Sequence, residues 1–138
     1  MQKKMYTKPI LNTLISFIVL VSIFSCSNDS DQVIEPINRE VKYELTGTAS
    51  GQFAKISVIY FAANGTAQSE SAITLPWSKS VTINNDVPAI TLQTTVSNAT
   101  QGQTITAKII VGGVVKIQET ATVKANGDVS LALPGYSF

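Results

Sequence analysis

Leu75-Pro76-Trp77-Ser78-Lys79-Ser80-Val81 carries the chain's single tryptophan, set directly after a proline. Proline has no N–H to give to a β-ladder, so inside sheet structure it sits at an edge or where the chain leaves one sheet for another. The run therefore reads as a crossing. One short strand ends before Pro76, a second begins near Trp77, and the indole plugs the core between them. Val81 and Ile83 continue that second strand to a polar turn at Asn84-Asn85-Asp86. A crossing flanked by short alternating segments implies two packed sheets.

Immediately upstream, Ile56-Ser57-Val58-Ile59-Tyr60-Phe61 runs into Asn64-Gly65, a strong signal for a two-residue hairpin loop. That loop predicts Tyr60 opposite Ser69, Val58 opposite Ser71 and Ile56 opposite Ile73. Large groups then meet small ones on the face that packs under a second sheet. The other face would carry Phe61 opposite Gln68 and Ile59 opposite Glu70, looking outward. Ile59 and Phe61 are thus candidates for an apolar interaction patch, with cover by a loop or the tether as the alternative. Trp77 is a third candidate, as a stacking platform, although core packing is the favoured reading.

Further out, Val41, Tyr43 and Leu45 alternate with Lys42, Glu44 and Thr46, the period of a half-buried strand. Ile90, Leu92, Thr94 and Val96 repeat the pattern, as do Ile105, Ala107, Ile109 and Val111. At Gly112-Gly113 the register is open. A two-residue loop sets Ile109 against Lys116, whereas a shift by one sets Ile109 against Ile117 and calls for a bulge. A last hairpin is expected at Asn126-Gly127, ending in Val129, Leu131 and Leu133 before Pro134-Gly135. The expectation is all-β: an immunoglobulin-like antiparallel β-sandwich of about seven or eight strands over residues 41–138. Most of these strands are shorter than the roughly 9–11 residues of a membrane barrel.

The N-terminal part has a different character. Met1 to Pro9 is basic, and Ile10 to Phe24 is an apolar run too short for a spanning helix, which wants about 20 apolar residues. It ends in Ile23-Phe24-Ser25-Cys26, which resembles the lipobox of bacterial lipoproteins. The resemblance implies a cleavable signal peptide over 1–25 and a lipidated Cys26. Residues 26–40 then form a flexible tether rich in Ser, Asn, Asp and Glu. Asp29 and Asp31 resemble a short acidic sorting signal, with a plain solvated spacer as the alternative. The anchored protein would lie in the bacterial cell envelope, on the outer membrane, facing the periplasm or the outside.

Composition narrows the chemistry. The 138 residues contain no histidine and one cysteine. The commonest general base is missing, and neither a disulfide nor a thiolate zinc site can form within the chain. From Cys26 onward seven basic residues face nine acidic ones, a net charge of −2. That leaves no basic footprint for nucleic acid. Glu44, Glu70, Asp86 and Glu119 are scattered, and no spacing pairs them for acid–base work. No catalytic residue, cofactor or metal site is expected.

Val41-Lys42-Tyr43-Glu44-Leu45-Thr46-Gly47-Thr48-Ala49, Ile56-Ser57-Val58-Ile59-Tyr60, Leu75-Pro76-Trp77-Ser78-Lys79 and Ile109-Ile110-Val111-Gly112-Gly113-Val114-Val115 together resemble the MmpS family (mycobacterial membrane protein, small). The likeness runs over about residues 41–133. It implies an extracytoplasmic β-sandwich behind a membrane anchor, serving as accessory to a large lipid- or siderophore-exporting transporter. The family's anchor is usually a transmembrane helix, where this chain carries a lipobox. The expected function is a non-catalytic, membrane-anchored lipoprotein that docks on an envelope transport complex. The alternative is a surface module for glycan or matrix, which would display aromatic residues in an exposed row.

Overall fold

A computed structural model describes residues 37–138. The expected signal peptide, the expected lipidation site Cys26 and most of the expected tether lie outside the described residues. Ten strands follow in order: β1 (Glu40–Gly47), β2 (Lys55–Phe61), β3 (Ala67–Ser71), β4 (Trp77–Thr82), β5 (Ala89–Ile90), β6 (Leu92–Ser97), β7 (Thr104–Val111), β8 (Val114–Thr122), β9 (Val129–Ala132) and β10 (Tyr136–Ser137). One sheet has the order β4-β1-β7-β8 and the other β3-β2-β6-β9, with every pairing antiparallel. The two-residue strands β5 and β10 pair with each other. The chain is an antiparallel β-sandwich with eight longer strands.

The alternating rows form its interior. Val41, Tyr43 and Leu45 of β1, Ile56, Val58 and Tyr60 of β2, Leu92 and Val96 of β6, and Ile105, Ala107, Ile109 and Val111 of β7 are all buried. Side chains alternate across a strand, so one apolar parity suffices to face the partner sheet. Thr94 is the buried polar exception, and its hydroxyl donates to the Ser57 carbonyl at 2.9 Å. Strand β7 faces β6 and β8 faces β9 across the interior. Tyr43 of β1 packs against Tyr60 of β2, with ring centroids 5.6 Å apart and the rings tilted by 47°. As expected of a crossing, Pro76 joins β3 of one sheet to β4 of the other.

Two expected details come out differently, and the open register at Gly112-Gly113 is decided. The β2–β3 loop holds three residues rather than two. The Gly65 amide donates to the Ala62 carbonyl at 2.9 Å, and the Ala62 amide donates to the Thr66 carbonyl at 2.9 Å. Gly65 has φ +77°, whereas Asn64 does not adopt positive φ. A two-residue type I′ loop needs positive φ at both positions, so a type I turn with a glycine bulge replaces it. The register moves by one: Val58 lies opposite Glu70, Ile59 opposite Ser69, Tyr60 opposite Gln68 and Phe61 opposite Ala67. Glu70 consequently turns to the interior side of the sheet.

At Gly112-Gly113 both glycines have positive φ, 58° and 78°, which suits the two-residue loop, and Val111 pairs Val114. Ile109 nevertheless pairs Ile117, because the register shifts between Ile109 and Ile110 and leaves Lys116 as the extra residue. The bulge thus lies beyond Val115, farther along than the turn.

Asn126-Gly127 turns the chain tightly, with the Gly127 amide donating to the Lys124 carbonyl at 3.0 Å. It does not make a hairpin, since β8 and β9 belong to different sheets and β9 pairs with β6. Burial of Val123, Val129, Leu131 and Leu133 between the sheets draws the chain across instead.

Candidate functional site

The densest polar arrangement closes the open margin where β3 and β4, the edge strands of the two sheets, lie together. Glu70 of β3 is its centre. The Trp77 indole N–H of β4 donates to Glu70 Oε2 at 3.0 Å. The Tyr60 hydroxyl donates to Oε1 at 3.0 Å, and Lys79 Nζ reaches the same oxygen at 3.3 Å. Period two puts Trp77 and Lys79 on one side of β4, and the register shift puts Glu70 where both can reach it. The Tyr60 ring lies 5.7 Å from the Trp77 ring, and the Lys79 ammonium lies 5.7 Å from the Tyr60 centroid.

Hydrogen bonding from Trp77, with further help from Tyr60 and Lys79, holds the Glu70 carboxyl below its ordinary value of 4.5. Glu70 in turn raises Lys79. Deeper in, burial pushes the Tyr43 hydroxyl up to about 12. It stays protonated at neutral pH and donates to the Phe61 carbonyl at 3.1 Å. Tyr43, Tyr60, Trp77 and Glu70 form a column from the core to the margin, tying the sheets together.

On the outer face of the β4-β1-β7-β8 sheet, across its two central strands, Glu44 accepts from Lys42 at 2.9 Å and Lys108 at 3.0 Å. Hydrogen bonds from Lys42 and then Lys108 lower its carboxyl. Ion pairs on a sheet's outer face that water still reaches add little stability. Glu44, Glu70, Asp86 and Glu119 occupy β1, β3, the β4–β5 loop and β8 respectively. Among the described residues no group of three or more His, Cys, Asp or Glu could hold a metal ion.

The three interaction candidates do not share one surface. Ile59 is 41% exposed on the outer face of β2. Phe61 is half-buried and packs against the core cluster. Trp77 is half-buried on the interior side of β4, opposite Leu45. The aromatic row that does exist, Tyr43–Tyr60–Trp77, runs between the sheets. Sequence reasoning missed Glu70 because the assumed loop turned it outward. The available signal was Trp77 and Lys79 two apart on one strand face, an N–H and an ammonium both wanting one acceptor.

Arg39 was also missed. It falls within the stretch expected to be tether, yet its guanidinium donates to the Asn84 and Val87 carbonyls, both at 2.9 Å, and lies 4.4 Å over the Phe138 ring. The chain is thereby pinned to the sandwich just before β1 begins.

Replacing Glu70 by Gln tests the margin. A carboxyl whose pKa is depressed on folding binds more protons in the unfolded state. Its contribution is therefore present above pH 4.5 and lost as pH falls through the lower folded value. Glu70→Gln should flatten that part of the acid-unfolding profile, followed by circular dichroism. It should also red-shift the Trp77 emission and increase its quenching by acrylamide. An unchanged spectrum and an unchanged acid limb would exclude the clasp.

Fold and site together define a small antiparallel β-sandwich domain whose best-organised polar cluster joins its two sheets. The family model described as Mycobacterium membrane protein matches residues 12–129, and the chain belongs to that family. The match runs from the apolar leader through β1 to the first residue of β9. Membership associates the chain with the membrane of the cell envelope. No curated protein matches it. Among the described residues no helix is long and apolar enough to cross a membrane.

Proposed function

We propose that this protein is a non-catalytic lipoprotein, anchored through lipid on Cys26, that presents its sandwich to an envelope transport complex as an accessory domain. The observation that carries the reading is the family match across the leader and the sandwich together. A lipobox-like Ile23-Phe24-Ser25-Cys26 supplies the attachment. Several acyl chains, at about 0.8 kcal/mol per buried methylene, hold a protein durably on a bilayer. The site supports an accessory role, because Glu70 and Glu44, its two most tightly bonded carboxylates, are engaged with neighbouring side chains. The bacterial outer membrane is the proposed location.

Cys26→Ala should abolish incorporation of labelled fatty acid and leave the precursor mass intact. Absence of label and the same precursor mass in the native form would reject the anchor. Affinity purification of the lipidated protein from gently solubilised membranes tests the partner. A transporter subunit recovered with the native form and lost with Cys26→Ala is the expected result.

A further inference from the structure

Five large hydrophobic residues stand exposed in the described part: Ile37 at 58%, Phe53 at 72%, Ile59 at 41%, Val114 at 57% and Val115 at 49%. Three of them gather at one end of the sandwich. Val114 and Val115 follow the Gly112-Gly113 turn, at the tip of the β7–β8 hairpin. The Gly112 amide donates to the Glu40 carbonyl at 2.9 Å, and the Asn38 side chain packs over Gly112. Ile37, next to Asn38, is thereby held beside that tip. Val115 pairs with Ile110, which adds a half-buried aliphatic group to the same patch. Edge strands usually guard such tips with charge or proline. Here two consecutive valines lead the edge strand, and the first charge, Lys116, comes at the bulge.

The same end is where the chain arrives from Cys26. Only residues 27–36 separate Cys26 from Ile37, a length that spans at most about 40 Å when fully extended. Arg39, bonded to Asn84 and Val87, fixes the direction of arrival. Phe53 lies past the other end of β1, an eight-residue strand, so roughly 25 Å away at about 3.3 Å per residue.

We infer that the Ile37–Val114–Val115 end of the sandwich docks on the lipid surface to which the chain is anchored, with its aliphatic side chains in the headgroup layer. This rests on the anchoring proposed above. The tether then serves to return the domain to the bilayer, and the β1–β2 loop with Phe53 points away from the membrane toward any partner. Burial of such side chains to a depth of about 5–10 Å is the usual geometry of interfacial contact.

The test uses the full lipidated protein in vesicles of phosphatidylethanolamine and phosphatidylglycerol containing a headgroup spin label. Cys26 is the chain's only cysteine, and its sulfur is blocked when lipidated. A Val115→Cys variant can therefore be labelled at that position alone with an environment-sensitive fluorophore. Phe53→Cys is the opposite-end control. Flotation with the vesicles reports anchoring independently. The expected result is blue-shifted, spin-quenched emission at position 115 and unquenched emission at position 53. The quenching at 115 should be lost when Ile37→Ser and Val114→Ser are combined with it. A protein that floats but shows no quenching at 115, or equal quenching at both positions, overturns the docking while anchoring stands. A protein that does not float overturns both.

Discussion

Replacing Gly47 by Ala is expected to lower the unfolding free energy by about 3 kcal/mol, from backbone strain and a lost close approach together. Gly47 ends β1 with φ +140°, a conformation that side-chain-bearing residues rarely adopt. An added Cβ would drive into the carbonyl oxygen of Thr104. That same oxygen accepts the amides of Thr48 and Ala49 at 2.9 and 3.1 Å as the chain leaves for the other sheet. Movement to relieve the clash would therefore weaken two hydrogen bonds at the crossing. With total stabilities of about 5–15 kcal/mol for domains in general, such a loss is a large share. Gly113→Ala is the control. It also has positive φ, 78°, but an added Cβ meets nothing within 4 Å. It should cost only about 1–2 kcal/mol of backbone strain. Urea titration of both variants measures the difference, and equal midpoints would show that the approach at Thr104 is unimportant.

The second large effect is expected at Tyr60, which joins the core to the sheet margin. Its ring lies 5.6 Å from Tyr43 and 5.7 Å from Trp77, and its hydroxyl reaches Glu70. Tyr60→Ala removes a buried aromatic side chain between two others and should cost about 3–5 kcal/mol. Tyr60→Phe keeps the ring and loses only the bond to Glu70, for about 1 kcal/mol. The gap between the two separates packing from polar closure. A double-mutant cycle of Tyr60→Phe with Glu70→Gln should show coupling, because the two groups share one hydrogen bond. If Tyr60→Ala costs no more than Tyr60→Phe, the column does not hold the sheets together.

Much of this architecture was legible in the chain. Val41, Tyr43 and Leu45, then Ile105, Ala107, Ile109 and Val111, reveal their buried parity through alternation, because side-chain direction in a strand depends only on odd or even position. Pro76 announces a crossing, because a residue without an N–H cannot continue a central ladder. The motifs from Val41 to Val115 likewise point to the family that the match over residues 12–129 then shows.

What could not be read follows from contacts between residues far apart. Whether Asn64-Gly65 closes a two- or three-residue loop depends on which backbone wells Asn64 and Gly65 occupy. Either choice leaves the β2 parity unchanged, so only β3 records the difference. That single step carries Glu70 from the outside to the margin and creates its bonds with Tyr60, Trp77 and Lys79. Asn126-Gly127 turns the chain equally well within one sheet or between two. The choice falls to Val129 and Leu131, which gain burial by pairing β9 with β6. Arg39 shows the same limit, since its partners Asn84, Val87 and Phe138 lie 45 or more residues away along the chain. Local pattern chooses which face of each strand is apolar; long-range packing chooses the neighbour that face meets.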